Sequence, residues 1–206
     1  PIYMTQKLIL FDTEYTAWEG SQQRRWSEAW EHREIIQIAA VRVALSGGMV
    51  EEASFNRLVR PQKNPILSEY IRGLTGISQA AVDSEGVPFA EAFADFTRFI
   101  GEGAYPLFSW GDDPGVLREN CELGGLPFPV FEGGFHDIRD VLENSGIQTA
   151  QYSSGTVWQA LELGMDLAAH DALNDVHSLL ATLHALEKQG RVDPARLLLP
   201  PNGKSM

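Results

Sequence analysis

The chain has little of three things: cysteine, long apolar runs and positive charge. Cys121 is the only cysteine among 206 residues, which excludes an intramolecular disulfide and a cysteine-built zinc or iron–sulfur site. No apolar run approaches the ~20 residues that a bilayer-spanning helix needs, and the start PIYMTQK has no signal-peptide core. We therefore expect a cytoplasmic protein with no membrane partner. Residues 1–3 precede Met4, and we expect them to be non-native residues left by cloning.

The shortage of positive charge restricts how the protein can contact nucleic acid. Sixteen Lys and Arg against 28 Asp and Glu give a net charge of −12. Binding a long stretch of nucleic acid by phosphate neutralisation requires a clustered basic face, which this balance disfavours. An enzyme acting at a nucleic-acid end is not excluded, because it needs few phosphate contacts and bound divalent cations can reverse the sign of an acidic pocket.

Length and apolar content predict one domain. With 206 residues and 44% hydrophobic content, the chain supports one sizeable core, which we assign to residues 4–190, followed by a proline-rich tail at 191–206 that docks or frays. The run KLILF at 7–11 predicts a strand buried on both faces, ending where the first carboxylates begin. Residues 34–44 and 50–59 predict two more strands, joined by a tight turn at SGG, and complete an antiparallel meander.

The second half of the chain alternates helix and strand patterns. Apolar residues three and four apart predict helices, and short apolar runs between them predict strands. The helices are expected at about 68–77, 89–100, from Pro114 with Asp113 as a possible cap, 156–163 and 171–188, and the strands at 106–110 and 135–141. A meander followed by this alternation predicts an α/β fold, a ribonuclease H-like mixed sheet of antiparallel and parallel strands flanked by helices.

Three acidic clusters stand where predicted strands end or helices begin. Asp12 and Glu14 are two apart in FDTEYT, so in a continuing strand they point to one side and can share a cation. His170 and Asp175 form His-x4-Asp at the start of the clearest helix. Taken singly, each cluster also fits an ordinary strand terminus or a helix N-terminus, where acidic residues are favourable. Together, at one predicted sheet edge, they favour a catalytic site.

The third cluster, SWGDD, contains Asp112 and Asp113 after a predicted strand. The ordered set Asp-x-Glu, Asp and His-x4-Asp closely resembles the DEDDh family of 3′–5′ exonucleases, which includes ribonuclease T, oligoribonuclease and proofreading subunits. The resemblance covers about residues 7–186 and is strengthened by FNRLVRP, LTGI and FAEAFADFTRFIG. The nearest subgroup is the bacterial relatives of the histone-mRNA exonucleases, which share a tryptophan near the second motif.

The resemblance implies a metal-dependent exonuclease that acts on single-stranded RNA or DNA 3′ ends and releases 5′-mononucleotides. Two Mg²⁺ or Mn²⁺ ions would be held by four carboxylates, and His170 would be the general base. The implied metal ligands are Asp12, Glu14, Asp113 and Asp175. Hard carboxylate oxygens suit such ions, and two ions ~4 Å apart can contact both the attacking and the leaving oxygen.

The second-motif carboxylate is chosen by spacing. The family places an apolar residue four positions after its aspartate, and Leu117 satisfies this from Asp113, although Val116 satisfies it from Asp112. The family's first-motif turn usually ends in glycine, where this chain has Ala17, so contacts to the terminal sugar can differ. The resemblance also implies substrate contacts, with packing as the alternative for the last two, at Thr13, Thr16, Leu74 and Trp110.

The segment 15–33 has no clean period and predicts a long loop or a short helical insertion. It carries three tryptophans and three arginines that suit either a stacking and phosphate-binding lobe or a satellite core: Trp18, Trp26, Trp30, Arg24, Arg25 and Arg33. His136, His177 and His184 show no ligand pattern and are expected to be structural or exposed.

Two other classes of protein remain as alternatives. One is a binding or assembly module on the same fold without catalysis, and the other is a ribonuclease H-like endonuclease, which would not need His-x4-Asp. Relatives often dimerise, so a homodimer is one state that the resemblance allows.

Overall fold

The sheet at the centre of the fold is mixed and has five strands. The structure of the chain is a computed structural model that describes residues 6–198. The strands are β1 (Lys7–Tyr15), β2 (Ile35–Ala44), β3 (Val50–Leu58), β4 (Leu107–Ser109) and β5 (Phe135–Asp137). Their order is β3-β2-β1-β4-β5; β1, β2 and β3 form an antiparallel meander, and β4 and β5 continue parallel to β1. The predicted ribonuclease H-like fold class is confirmed.

Helices cover both faces of the sheet. They are α1 (Ser21–Arg24), α2 (Glu69–Thr75), α3 (Gln79–Glu85), α4 (Phe89–Ile100), α5 (Asp113–Leu123), α6 (Ile138–Asn144) and α7 (Ala172–Lys188). Short 3₁₀ helices span Thr149–Gln151, Val157–Leu161 and Pro194–Leu198. Helix α2 is capped at its N-terminus by Ser68, whose side-chain oxygen accepts the Ile71 N–H, and at its C-terminus by Gly76, which has a positive φ of 72°.

β1 divides the core into two apolar clusters because successive side chains of a strand point to opposite faces. Leu8 and Leu10 belong to the cluster under α6 and α7, whereas Ile9 and Phe11 belong to the cluster under α4 and α5. All four side chains are fully buried. The same alternation places the side chains of Asp12 and Glu14 on the face of β1 that carries Leu8 and Leu10, which is the face toward α6 and α7.

Three predicted boundaries were wrong. β1 does not end at residue 11 but continues to Tyr15, because its pairing with β2 persists through Asp12 and Glu14. The strand predicted at 135–141 stops at Asp137, whose side chain accepts the Arg139 N–H and begins α6. Helix α5 begins at Asp113 itself, so that Asp112, and not Asp113, occupies the N-cap position.

The two ends of the chain fall partly outside the described residues. The expectation for residues 1–3 cannot be compared with the structure, and neither can the tail beyond 198. Within the described part, Val192 and Leu197 lie in the cluster under α6 and α7, so this portion of the tail docks on the core. Among the described residues, no helix is long and apolar enough to cross a membrane.

Candidate active site

The open end of β1 is created by a difference in strand length. β2 pairs with β1 as far as Tyr15, but β4 pairs with it only at Ile9 and Leu10. Beyond that point the β4 side of β1 has no strand neighbour, and the N-terminus of α5 fills the position instead. The backbone N–H of Thr13 donates to Asp113 Oδ1 at 3.0 Å, and the Thr13 hydroxyl donates to the same oxygen at 2.5 Å.

Asp12 and Glu14 point to the opposite side of β1, toward α7. Oxygen atoms of Glu14 and Asp175 and a ring nitrogen of His170 lie within 4.8 Å of one another. Asp12 is buried beside this group, and the pKa of its carboxyl is raised well above its ordinary value, first by burial and then by the charges of Asp113, Glu14 and Asp175. The predicted carboxylates therefore lie around one point.

The loop before α7 holds Asp175 and His170 in place. The His170 N–H donates to Asp175 Oδ1 at 3.0 Å, and the Ser154 hydroxyl donates to Asp175 Oδ2 at 2.8 Å. His170 adopts a positive φ of 64°, a conformation that histidine tolerates better than most residues. On β2, the side chain of Gln37 accepts the Ala172 N–H at 3.0 Å and so fixes the first turn of α7.

Three positions in this support were not singled out from the sequence. Ser154 and Gln37 are ordinary polar residues whose role depends on partners 21 and 135 positions away along the chain. Position 155 requires glycine because Asp175 packs directly against its backbone, and a Cβ there would lie 2.2 Å from Asp175 Oδ1. The only signal in the sequence is a glycine after two serines in SSGTVW, which does not distinguish a close approach from a turn.

The electrostatics of the cluster fit bound cations. Burial raises the pKa of Asp113 to about 7, and burial followed by the charge of Asp175 raises that of Glu14 well above its usual range. The pKa of Asp175 is also raised, mainly by burial, against the lowering effect of the Ser154 hydrogen bond. Buried carboxylates that repel one another are stabilised by a divalent cation with oxygen ligands, and the donor set of this site matches that chemistry.

Asp112 and Asp113 differ sharply in surroundings. Asp113 is 6% exposed and is held by Thr13, whereas the Asp112 side chain is 69% exposed and forms an ion pair with Arg33, at 2.9 Å from Nη1 to Oδ2. Arg33 also binds Glu119 on α5. Asp112 therefore belongs to a group of surface ion pairs around Arg33, which join the end of the insertion to α5. Asp113 belongs to the carboxylate cluster.

The four predicted substrate contacts are placed differently. Thr16 is buried, and its hydroxyl donates to the His32 carbonyl and accepts the Glu34 N–H, so it closes the insertion. Thr13 is buried and donates to Asp113. Trp110 is half-buried and packs against the cluster under α7. Leu74 is 38% exposed on α2, one turn after the exposed Tyr70, which sequence reasoning did not include.

The segment 15–33 contains α1 and is otherwise irregular, as predicted. Its tryptophans do not share one environment. The Trp26 Nε1–H donates to the Thr16 carbonyl at 3.0 Å, and the ring packs against the small cluster of Ala17, Ile36 and Ile71. The indole of Trp30 is 50% exposed. Among the histidines set aside, His136 binds the Gly133 carbonyl, His177 binds Glu51 and His184 binds the Gly48 carbonyl.

Comparison with known proteins decides the family. The family model for exonucleases of the ribonuclease T type matches residues 9–183. The chain belongs to this exonuclease family. The family's named relatives include the probable 3′-5′ exonuclease KapD of Bacillus subtilis, which is 30% identical over 175 residues, covering 83% of this chain and 80% of KapD. The predicted assignment to the 3′–5′ exonucleases is confirmed.

Other exonucleases match over different shares of their length. The 3′-5′ exonuclease Snipper of Drosophila melanogaster is 28% identical, covering 89% of this chain and 70% of Snipper. Human ERI1 exoribonuclease 2 is 39% identical over 155 residues, which make up 64% of this chain but 21% of that protein. This exonuclease chain thus spans about a fifth of the length of the human relative.

Solved exonuclease structures share the fold. The nuclease domain of 3′hExo, described as a DEDDh family member bound to rAMP, has a TM-score of 0.70 at 24% identity, covering 91% of this chain and 94% of that domain. Escherichia coli exonuclease I in complex with single-stranded DNA has a TM-score of 0.69 at 14% identity, covering 94% of this chain and 42% of exonuclease I. Membership in the DEDDh family implies the use of divalent cations.

Proposed function

We propose that this exonuclease removes nucleotides one at a time from the 3′ end of single-stranded RNA or DNA, with His170 as the general base and two Mg²⁺ or Mn²⁺ ions. The convergence of four buried carboxylates and one histidine at the open end of β1 carries this proposal. The proposed ion ligands are Asp12, Glu14, Asp113 and Asp175. When bound, the ions would stabilise negative charge on the attacking and leaving oxygens.

The protein's own side chains orient the reaction. A ring nitrogen of His170 lies within 4.8 Å of carboxylate oxygens of Glu14 and Asp175. In the proposed reaction a water beside this nitrogen faces the terminal phosphodiester. In the proposed reaction the imidazole nitrogen accepts a proton from this water as the water oxygen attacks phosphorus. The bond from phosphorus to the 3′ oxygen of the preceding nucleotide breaks, and this oxygen takes a proton from solvent water. The products are a strand that ends in a 3′-hydroxyl and a free 5′-mononucleotide, and His170 returns its proton to solvent.

Helix α2 supplies the proposed position of the terminal base. Tyr70 and Leu74 are four residues apart, so they lie on one face of the helix, and both are exposed. A base can pack on a tyrosine ring and a leucine side chain irrespective of its identity. Thr13 and Thr16 are not carried into the proposal as hydroxyl contacts, because their hydroxyl groups are already bound within the protein.

The proposal is tested with 5′-labelled single-stranded RNA and DNA of equal sequence, incubated with Mg²⁺, Mn²⁺ or EDTA. We expect a metal-dependent ladder that shortens from the 3′ end, and the polymer that is degraded faster identifies the sugar. Asp12→Asn should abolish the ladder, whereas Glu102→Gln, at an exposed carboxyl in the loop after α4, should leave it unchanged. If the wild-type protein binds either polymer but shortens neither, the protein is a binding module and the proposed reaction is wrong.

A further inference from the structure

Four large apolar side chains are exposed on α2, on the segment before it and on the insertion: Tyr70, Leu74, Ile66 and Trp30. Trp30 is 50% and Ile66 is 74% exposed, and they lie beyond the N-terminus of the helix that carries Tyr70 and Leu74. Large exposed apolar side chains grouped on neighbouring segments are a feature of binding surfaces. The single-strand path proposed above accounts for Tyr70 and Leu74 but not for Trp30 and Ile66.

Hydrogen bonds hold the insertion against the start of α2. The Ser68 hydroxyl, at the N-cap of α2, donates to the Ala17 carbonyl at 2.5 Å. The Asn64 side-chain N–H donates to the Trp30 carbonyl at 3.1 Å. These two contacts bring the backbone of Trp30 and the segment that contains Ile66 close to the point where the chain leaves β1, three residues after Glu14.

Neighbouring side chains of the insertion hold the exposed indole of Trp30 in place. The Trp18 ring packs edge-on against the Trp30 ring, with centroids 4.7 Å apart and an interplanar angle of 79°. Below them, the buried carboxylate of Glu31 accepts the Ser21 hydroxyl at 2.8 Å and binds the Arg24 guanidinium. A tryptophan fixed by its neighbours loses little conformational freedom when a ligand stacks on it, which favours binding.

We propose that Trp30, supported by Trp18 and extended by Ile66, is a stacking platform for nucleotides upstream of the 3′ end. The inference rests on the proposed exonuclease function and extends its substrate path. Leu74 lies six positions after Ser68, a rise of about 9 Å along a helix, which equals two to three stacked nucleotides at ~3.4 Å each. A strand whose last base packs on Leu74 therefore reaches the platform about three nucleotides upstream.

Continuity with the carboxylate cluster identifies the occupant as the substrate strand. The platform adjoins Ala17, which follows the catalytic strand β1, and α2 leads from it toward the proposed terminal base. Exposed Lys63 and Arg72 lie on the same segments and can meet phosphates. Stacking on aromatic rings does not depend on a basic face, which suits a chain whose net charge is −12.

The test compares oligonucleotides of different length in the sugar that the enzyme prefers. Steady-state kinetics are measured on a dinucleotide and an octanucleotide with wild type, Trp30→Ala, Trp30→Phe and Val130→Ala. Val130 is 90% exposed in the loop before β5 and serves as the matched apolar control. For Trp30→Ala we expect KM on the octanucleotide to rise about fivefold or more, KM on the dinucleotide to stay within about twofold, and kcat to be unchanged. Trp30→Phe should retain most of the octanucleotide affinity.

Several outcomes would overturn the platform. An unchanged octanucleotide KM, or an equal rise for both lengths, contradicts it, and so does a dimer in size-exclusion chromatography that Trp30→Ala abolishes without changing the kinetics. If wild type hydrolyses neither oligonucleotide, the proposed function fails separately. Fluorescence anisotropy of a labelled octanucleotide then tests the platform alone, with a higher Kd for Trp30→Ala supporting it and an equal Kd refuting it.

Discussion

Replacing each of the two adjacent aspartates at the start of α5 separates a catalytic carboxylate from a surface one. Asp113→Asn keeps the shape of the side chain and an oxygen that can accept from Thr13, but removes a buried negative charge. If this charge helps to hold the ions, its loss weakens transition-state stabilisation by several kcal/mol. Three to five kcal/mol corresponds to a drop of about 10²- to 10⁴-fold in kcat/KM.

Asp112→Asn removes one of the ion pairs that Arg33 forms. The Asp112 side chain is 69% exposed, and Arg33 keeps its contacts with Glu119, so the lost ion pair contributes at most ~1 kcal/mol. We expect less than about a fivefold change in kcat/KM and little change in stability.

Stability gives a second distinction between the two variants. Burial raises the pKa of Asp113 to about 7, so the unfolded chain loses this proton at a lower pH than the folded protein. The metal-free protein therefore loses stability as pH rises from about 4 to 7 and carries the full cost of the buried charge at pH 8. Asp113→Asn should therefore increase the free energy of unfolding in EDTA at pH 8 while it lowers kcat/KM by about 10²- to 10⁴-fold. The assay pairs exonuclease kinetics with urea denaturation. Equal losses of activity in both variants, or the larger loss in Asp112→Asn, would refute the placement of the carboxylates.

Three further predictions concern the support of the site, its charge and the core. Gly155→Ala places a Cβ 2.2 Å from Asp175 Oδ1. We expect kcat/KM to fall about tenfold or more, with a circular dichroism spectrum that shows an intact fold. Normal activity would show that Asp175 has room to move. In EDTA, the folded state retains a proton on Asp113 that the unfolded chain releases above about pH 4. The unfolding free energy should therefore fall by at most ~4 kcal/mol as pH rises from about 4 to 7, and Mn²⁺ at pH 7 should restore it. A stability that rises with pH in EDTA contradicts the raised pKa of Asp113. Phe96→Ala removes a fully buried ring that packs on Phe11, with 5.7 Å between the ring centroids. Urea denaturation should show a free energy of unfolding lower by about 3–5 kcal/mol. A loss below ~1 kcal/mol would mean that the core repacks.

The sequence alone determined the fold class and the composition of the site. Apolar runs of strand length and helical periodicity are local properties, and they predicted the meander and the alternation that follows it. The order Asp-x-Glu, Asp, His-x4-Asp indicated the exonuclease family, because the chemistry requires these residue types in fixed number. The parity of β1 also follows from the sequence, and it assigns Asp12 and Glu14 to one face and Thr13 to the other.

Tertiary structure decided what depends on partners distant in sequence. β1 extends to Tyr15 because β2 pairs with it, and its other side is open because β4 is only three residues long. The environments of Asp112 and Asp113 differ because Thr13 and Arg33 reach α5 from 100 and 79 positions away. Gly155 is needed because α7 brings Asp175 against it. Such contacts leave no periodic signal in the sequence, since only the packing of the helices on the sheet brings the two partners together.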